Sequence, residues 1–248
     1  MSLTEPEKKR YTRQMMLTGW GEEAQLKLRR SVVFIAGAGG LGSPVSFNLA
    51  VAGVGTLRLC DFDKPDLSNL NRQFLHDDSR LDMNKAESAR LTLGKLNPHI
   101  TLEAISAKIV DSNVDELVGD ADIIVDCMDN IPTRFLLNAC AVRKRIPFVH
   151  GSVWGMEGRV SFFHPPKSPC FQCFVKDSPP KEVFPVVGAT PGITGSIQAM
   201  ETLKYLTGIG ETLAGRLLCC DFSDMRFTEY RIDRDPHCPV CSRGRGRE

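Results

Sequence analysis

Residues 31–42 read SVVFIAGAGGLG, an apolar, β-branched run that ends in closely spaced glycines. A run of this kind is typical of a strand that is buried on both faces of a parallel sheet. The glycines match the pattern GxGxxG, in which main-chain amides approach a phosphate because these residues lack side chains. The stretch therefore predicts a buried strand, a nucleotide-binding turn formed by Gly37, Gly39, Gly40 and Gly42, and the start of a helix.

Strand and helix patterns alternate on both sides of this stretch. Such alternation predicts a doubly wound α/β sheet with ligands at the carboxyl ends of its strands. Two short amphipathic helices are expected within residues 5–30, before the first strand. Later strands are predicted at 56–63, 100–109, 121–130, 146–153, 159–165 and, as a strand or hairpin, 217–232; later helices are predicted at about 43–51, 84–96, 111–118, 132–145 and 194–208.

The whole chain, residues 1–248, is predicted to form a single α/β domain with a mostly parallel sheet. We divide it into N-terminal helices (1–30), a Rossmann-like nucleotide-binding core (31–164), a crossing loop (165–191) and a C-terminal part (192–248). The crossing loop is rich in Pro, Ser and Lys, so irregular structure is expected there.

The composition excludes several classes of protein. Hydrophobic residues make up 42% and charged residues 25% of the chain, which is ordinary for a globular protein and excludes disorder. No apolar run approaches the roughly 18 residues of a transmembrane helix. The polar N-terminus lacks the apolar centre of a secretory signal, so a cytoplasmic location is expected. The net charge of +1 gives no reason to expect nucleic-acid binding, and the basic residues 243–247 are interpreted as a solvated tail.

An acidic residue, Asp61, follows the second predicted strand, nineteen residues after Gly42. An acid at this place in a nucleotide-binding unit binds a ribose hydroxyl. The glycines and this acid together fit NAD, FAD or ATP, and a glycine-rich turn that binds no nucleotide is the alternative.

Residues 61–73, DFDKPDLSNLNRQ, place three acids, two asparagines and an arginine on one loop. NAD needs no such polar cluster, so the loop departs from the pattern of a dehydrogenase. The Arg72 guanidinium is suited to bind phosphate oxygens, and Lys85, thirteen residues later, adds a second cation. A solvated surface loop with an ordinary lysine at a helix start is the alternative interpretation.

Asp129 and Asn130 close the fourth predicted strand, at the same edge of the sheet. A carboxylate there is placed to hold Mg²⁺, which prefers one or two carboxylates together with phosphate oxygens. Asp126 is a weaker candidate because strand alternation leaves its orientation open. Asp122 is expected only to begin the strand.

Four of the nine cysteines form two CxxC pairs, Cys170 with Cys173 and Cys238 with Cys241. Four thiolates complete a closed tetrahedral site with no position for water, so the pattern predicts a structural zinc that ties the C-terminal tail to the crossing loop. Redox-active CxxC pairs are the alternative, and His237 is redundant as a ligand. The other five cysteines lie in or beside apolar stretches and are interpreted as buried structural residues: Cys60, Cys127, Cys140, Cys219 and Cys220.

Taken in order, these motifs resemble the ThiF/MoeB/HesA family, whose members are related to ubiquitin-activating enzymes. The resemblance extends beyond the nucleotide motifs and covers nearly the whole chain. It rests on YTRQMML (11–17), GAGGLGS (37–43), DFDKPDLSNLNRQF (61–74), Lys85, CMDN (127–130), GITGSIQAMETLKYL (192–206) and the two CxxC pairs.

The family resemblance implies an enzyme that joins ATP to the C-terminal Gly-Gly carboxylate of a small ubiquitin-like sulfur-carrier protein and releases pyrophosphate. It implies a homodimer in which Arg13 reaches into the partner subunit's site. Catalytic roles are implied for Arg72, Lys85, Asp129 and Arg13, with Asp129 positioning Mg²⁺. The implied ATP-binding residues are Gly37, Gly39, Gly40, Gly42, Asp61, Asp63, Ser68, Asn69, Leu70, Asn71, Arg72, Gln73, Lys85, Asp129 and Asn130.

One departure concerns residues 176–190, where some family members carry a cysteine for a thioester or persulfide step and this chain has none. Adenylation without a covalent enzyme intermediate is therefore expected. The chain also lacks a rhodanese-like extension, so the sulfur donor is expected to be a separate protein. Three alternatives stay open: an NAD- or FAD-linked oxidoreductase, an inactive nucleotide-binding subunit, and a relative that activates a peptide or a cyclic tRNA adduct. The sequence does not distinguish the thiamin, molybdenum-cofactor and other sulfur pathways.

Overall fold

A computed structural model describes residues 2–178 and 185–242. Within these residues the strands are β1 (Val32–Ala36), β2 (Thr56–Cys60), β3 (Thr101–Ile105), β4 (Ile123–Asp126), β5 (Phe148–Trp154), β6 (Glu157–Phe163), β7 (Arg216–Asp221) and β8 (Arg226–Arg231). The helices are α1 (Glu5–Met15), α2 (Gly21–Arg30), α3 (Gly42–Ala52), α4 (Lys85–Leu96), α5 (Val114–Val118), α6 (Ile131–Lys144), α7 (Phe171–Phe174) and α8 (Ala189–Thr207), with short 3₁₀ turns at Leu67–Asn69 and Asp78–Arg80.

The strands form one sheet in the order β3-β2-β1-β4-β5-β6-β7-β8. Strands β1 to β5 pair in parallel, and β6, β7 and β8 continue the sheet in antiparallel pairs. At β1 the chain changes direction across the sheet, because β2 lies on one side of it and β4 on the other. In sheets of this class, ligands bind at such a point, outside the carboxyl ends of the strands. The predicted doubly wound, mostly parallel sheet is confirmed.

The core consists of two layers, one on each face of the sheet, and β1 supplies both. Val33 and Ile35 belong to one layer and Phe34 and Ala36 to the other, and all four are buried. This alternation is the two-residue period of a strand. The first layer packs against α3, α4 and α8, and the second against α5, α6 and α7, so β1 is buried on both faces as predicted.

Asparagine caps determine where two of the helices begin. The Asn84 side-chain oxygen accepts a hydrogen bond from the Ala86 amide at 2.9 Å, at the start of α4. The Asn130 side-chain oxygen accepts one from the Thr133 amide at 3.0 Å, at the start of α6. Because a capping side chain satisfies an amide that has no partner within the helix, it fixes the first turn. The caps thereby fix the main chain beside Lys85 and Asp129.

The structure differs from the sequence-based prediction in the crossing loop. We predict irregular structure over 165–191, but α7 lies within this stretch and α8 already begins at Ala189. Pro191 is tolerated in the first turn of α8 because an amide at that position has no helical partner. The segment 179–184 and the basic residues 243–247 lie outside the described residues.

Helix α8 packs closely on α3 because Gly195 has no side chain. A Cβ atom on Gly195 would lie 2.5 Å from Pro44 Cγ and 2.8 Å from the Leu41 carbonyl oxygen. The close approach brings the first turn of α8 to the glycine turn, where a Cβ atom on Gly40 would lie 3.5 Å from Pro191 Cβ. The C-terminal part of the chain is thereby held against the nucleotide-binding core.

Among the helices that the structure describes, none combines the length and the apolar composition needed to cross a membrane. Helix α8 has 19 residues, and Glu201 and Lys204 interrupt its apolar character.

Candidate functional site

The glycine turn occupies the space between the carboxyl ends of β1 and β4, where side chains do not fit. Gly37 has a left-handed backbone (φ 98°), and a Cβ atom there would lie 2.8 Å from the Cys127 carbonyl oxygen. A Cβ atom on Gly42 would lie 2.1 Å from the Gly37 carbonyl oxygen. Helix α3 begins at Gly42 without a side-chain cap. Pro44 has no amide hydrogen, and the Ser43 amide donates to the Gly39 carbonyl at 2.9 Å. The amides of the glycine turn, at the positive end of the helix dipole, are therefore the groups that suit a phosphate.

Asp61 lies directly behind this turn and orients its main chain. One carboxylate oxygen accepts a hydrogen bond from the Ala38 amide at 2.8 Å, and the other accepts one from the Asp63 amide at 2.9 Å. Burial raises the pKa of the Asp61 carboxyl, and these two hydrogen bonds and the Lys85 ammonium act in the opposite direction. The glycine turn and the predicted ribose-binding acid therefore form one connected unit.

The polar loop after β2 folds back towards the glycine turn. Arg72 donates to the Ser68 carbonyl at 3.0 Å and to the Asn71 side chain at 2.9 Å. The stem of Arg72 approaches the turn, since a Cβ atom on Gly40 would lie 3.5 Å from its Cδ. The loop is thus ordered by its own side chains and places a guanidinium at the turn.

Gln73 lies beside the turn with an unsatisfied polar atom. Its side chain is buried, and a Cβ atom on Gly39 would lie 3.5 Å from Gln73 Nε2. Within the part of the chain that the structure describes, Gln73 Oε1 has no hydrogen-bond partner. Because a buried polar atom without a partner is costly, this one indicates a place where a ligand donates a hydrogen bond.

Lys85 begins α4 and is only 8% exposed. Its amide donates to the Asp63 carbonyl at 2.8 Å, and the Asn84 side chain donates to the Asp61 carbonyl at 2.9 Å. The start of α4 is therefore tied to the end of β2, which places the Lys85 ammonium among the acids of the loop. The Ser68 hydroxyl and amide lower the pKa of Asp66, and Lys85 adds to this effect.

His76 is a residue of the site that the sequence motifs do not predict. Its ring is buried, with Nε2 2.9 Å from the Ala38 carbonyl oxygen and Nδ1 2.9 Å from Ser88 Oγ. Burial lowers the pKa of His76. The neutral ring links the glycine turn to α4, a long-range contact for which the sequence offers no signal.

Asp129 and Asn130 reach the same edge of the sheet from β4. Asp129 is exposed, and the Asn130 side-chain amide donates to it at 3.2 Å. The turn between β4 and α6 lies against the glycine turn, since the Cys127 amide donates to the Ala36 carbonyl at 2.9 Å. Asp126, the weaker magnesium candidate, is fully buried and paired with Arg134, so it does not face this edge.

The chain after the undescribed segment covers the polar loop. The Gly155 amide donates to the Pro185 carbonyl at 2.8 Å, and the Thr190 hydroxyl donates to the Gly155 carbonyl at 2.9 Å. Gly188 lies so close to the loop that a Cβ atom on it would be 2.3 Å from the Asn71 carbonyl oxygen. The entry to α8 therefore forms one wall of the candidate site.

Arg13 is the one catalytic candidate that the fold does not bring to this edge. It lies exposed in the last turn of α1. The next residue, Gln14, donates to the Ala52 carbonyl at 2.7 Å, at the carboxyl end of α3. The glycine turn lies at the amino end of α3. Because α3 has 11 residues and rises 1.5 Å per residue, its two ends are about 16 Å apart. Arg13 is therefore remote from the site of its own chain.

The four CxxC cysteines form one buried cluster. Their Sγ atoms all lie within 4.8 Å of one another, with Cys170 3.9 Å from Cys173 and 3.5 Å from Cys238, and Cys173 3.4 Å from Cys241. A tetrahedral zinc with Zn–S bonds of about 2.3 Å places sulfurs about 3.8 Å apart, so the geometry fits. His237 is exposed and outside the cluster.

Comparison with known proteins assigns this arrangement to a family. Residues 11–240 match the family model described as the ThiF family. The chain belongs to the ThiF family. The family resemblance inferred from the motifs is therefore confirmed.

The relatives of this ThiF family chain include proteins about twice its length and one of nearly the same length. It is 42% identical over 247 residues to the Drosophila yakuba protein named adenylyltransferase and sulfurtransferase MOCS3, covering 97% of this chain and 54% of that protein. It is 40% identical over 250 residues to the SAMP-activating enzyme E1 of Haloferax volcanii, covering 98% of this chain and 92% of that protein. The chain thus spans about half the length of the Drosophila relatives that it matches.

Two solved structures share the fold. The crystal structure of E. coli MccB with MccA-N7isoASN has a TM-score of 0.85 at 25% identity, covering 94% of this chain and 74% of that one. The crystal structure of PaaA has a TM-score of 0.81 at 26% identity, covering 94% of this chain and 75% of that one.

We expect the purified protein to contain about one zinc ion per chain by elemental analysis, because four buried sulfurs lie at zinc-binding distances. Cys173→Ser should release the metal and lower the melting temperature by roughly 5 °C or more, since structural zinc contributes folding free energy. Cys219→Ser is the matched control, because Cys219 is a half-buried residue of β7 that lies outside the cluster. This variant should retain the metal. Metal-free protein of unchanged stability would contradict the assignment.

Proposed function

We propose that this chain transfers the adenylyl group of ATP to the C-terminal carboxylate of a small ubiquitin-like sulfur-carrier protein that ends in Gly-Gly, with release of pyrophosphate. The observation that carries the proposal is the meeting of the glycine turn with Asp61, Arg72, Lys85 and Asp129 at one edge of the sheet. The names of the relatives, an adenylyltransferase and a SAMP-activating enzyme, support the same reaction class.

In this proposal the chain holds ATP along the edge of the sheet. Asp61 accepts hydrogen bonds from the ribose, and the amides of the glycine turn before α3 bind phosphate oxygens. Arg72 and Lys85 bring two positive charges to the triphosphate. The Gln73 side-chain oxygen, which lacks a partner among the described residues, is available to accept a hydrogen bond from the nucleotide.

The chemical step needs electrostatic stabilisation more than acid or base catalysis. A carboxylate oxygen of the carrier forms a bond to the α-phosphorus, and the bond from that phosphorus to the bridging oxygen breaks, so the electron pair leaves with pyrophosphate. The carboxylate is already ionised near neutral pH, so no base is required. Repulsion between the two anions is the main barrier, and the cations of the site oppose it. Mg²⁺ held by Asp129 would supply further positive charge at the phosphates.

Four of the five cysteines outside the zinc cluster are buried, and they support a reaction without a covalent enzyme–carrier intermediate. Burial raises the pKa of Cys60 and of Cys140 to about 12 and that of Cys220 to about 11. Burial also raises the pKa of Cys127 well above its usual range. Because the thiolate is the nucleophile, these thiols are inert near neutral pH. A sulfur nucleophile would instead attack the carbonyl carbon of the acyl-adenylate directly, so that a carbon–sulfur bond forms and AMP leaves with the electron pair of the broken carbon–oxygen bond.

We further propose that the enzyme is a homodimer in which Arg13 completes the partner subunit's site. The remote place of Arg13 within its own chain supports this arrangement, because an arginine that acts on the triphosphate must then come from a second copy.

Asp129→Ala and Arg72→Ala should each lower carrier-dependent ATP–pyrophosphate exchange at least about 100-fold, because the first removes the carboxylate that would hold Mg²⁺ and the second removes a cation from the polyphosphate. Neither should lower the melting temperature, since both side chains lie outside the core. Asp115→Ala and Arg143→Ala are matched controls, because this exposed ion pair at the far end of α6 is remote from the site. Near-normal exchange by either test variant would remove that residue from the site.

Mixing Arg13→Ala chains with Asp129→Ala chains should restore exchange, because each mixed dimer contains one site with both side chains intact. Mixing Arg72→Ala with Asp129→Ala is the control, and it should restore none because these two residues belong to the same chain's site. The measurement is exchange activity after dissociation and reassociation of the dimers. No recovery in the first mixture, with mixed dimers shown by native mass spectrometry, would contradict the shared site.

A further inference from the structure

A buried charged cluster lies directly behind the turn that carries Asp129. It consists of Asp126 at the end of β4, Arg134 in the first turns of α6 and His150 on β5, which are 0%, 7% and 4% exposed. His150 Nδ1 lies 2.8 Å from Asp126 Oδ2, and Arg134 Nε lies 3.1 Å from the same oxygen. Arg134 Nε is not aligned for a hydrogen bond, so this second contact is an ion pair.

The cluster binds both main-chain groups of Met128, the residue before Asp129. The Met128 amide donates to Asp126 Oδ1 at 3.0 Å. The Met128 carbonyl accepts a hydrogen bond from Arg134 Nη2, which also donates to the Gly151 carbonyl at 2.9 Å. The peptide that leads into Asp129 is thereby tied to β4, to α6 and to β5 at once. On its other side, Asn130 caps α6, so the main chain of Asp129 is held at both ends.

The other neighbours of Asp126 keep the cluster dry and its charges balanced. Burial lowers the pKa of His150, which is therefore neutral and donates its Nδ1 hydrogen to the carboxylate. The Phe171 ring packs against the His150 ring at 4.8 Å between centroids, and Gln198 donates to the Asp126 carbonyl oxygen at 2.7 Å. A buried ion pair of this kind is often no more stabilising than apolar residues of the same volume, so stability alone gives little reason for it.

We propose that Arg134, paired with Asp126, is a positioning residue that holds Met128 so that the Asp129 carboxylate faces the magnesium-bound polyphosphate. The proposal rests on the function proposed above and extends it to residues that do not touch the substrate. Partners that orient a metal-binding group typically affect metal affinity or activity by 10- to 100-fold when they are changed. Lysine in place of Arg134 keeps the charge beside Asp126. Its ammonium lacks the planar, fixed set of donors with which the guanidinium binds the Met128 and Gly151 carbonyls while it pairs with Asp126.

The test is the Mg²⁺ concentration that gives half-maximal ATP–pyrophosphate exchange. For Arg134→Lys we expect this concentration to rise about tenfold or more. Arg143→Lys, in the last turn of the same helix and in an exposed ion pair, is the matched control and should leave it unchanged. A merely structural role would lower the fraction of folded protein and the maximal rate but leave the half-saturating Mg²⁺ concentration as it is, and that result would overturn the proposal.

A second variant keeps the test decisive if Arg134→Lys folds poorly. Asp126→Asn combined with Arg134→Gln removes both charges and leaves no unpaired ion in the core, and it should show the same shift. Calorimetric titration of ATP at several Mg²⁺ concentrations makes the comparison without a carrier protein. Absence of exchange in the unaltered enzyme would contradict the proposed function, whereas unchanged Mg²⁺ dependence of ATP binding in both variants would contradict the positioning role alone.

Discussion

The close approach of Gly37 to the carbonyl oxygen of Cys127 is the constraint on which the rest of the candidate site depends. Since there is no room for a side chain between the carboxyl ends of β1 and β4, the main chain itself fills the gap and its amides line the edge of the sheet. Asp61 holds the turn from behind through the Ala38 amide, and His76 holds it through the Ala38 carbonyl. Every other group of the site is placed relative to this turn.

The C-terminal part of the chain completes the site without supplying its nucleotide motifs. Helix α8 packs on α3 through Gly195, and its entry at Gly188 lies against the Asn71 carbonyl. The four cysteines of the cluster connect the crossing loop to the C-terminal tail. Phe171, which lies between the first two cysteines in the sequence, packs against His150. A metal in the cluster would therefore support the same layer of side chains that orients the turn of Asp129.

The sequence predicts the features that local patterns encode. Spacing and residue type predict the buried run before Gly37, the acid at the end of β2 and the paired cysteines. The alternation of strand and helix patterns predicts the class of sheet. The placement of Asp126 did not follow, because strand alternation gives the face of a residue but not its partners. Arg134 and His150, 8 and 24 residues further on, meet it only when β4, β5 and α6 assemble. The predicted start of α8 at residue 194 is wrong, because Pro191 suggests a loop although a proline is also tolerated in a first helical turn.

We propose that the chain adenylates a carrier carboxylate and forms no covalent bond to the carrier. Intact-mass spectrometry of the enzyme incubated with ATP, Mg²⁺ and a Gly-Gly carrier, in the absence of reductant, tests it most directly. We expect a carrier heavier by one adenylyl group, an enzyme of unchanged mass, and no reaction when the carrier's terminal carboxylate is amidated. A carrier that stays unmodified while ATP is turned over, or a thiol-cleavable adduct between enzyme and carrier, would contradict it.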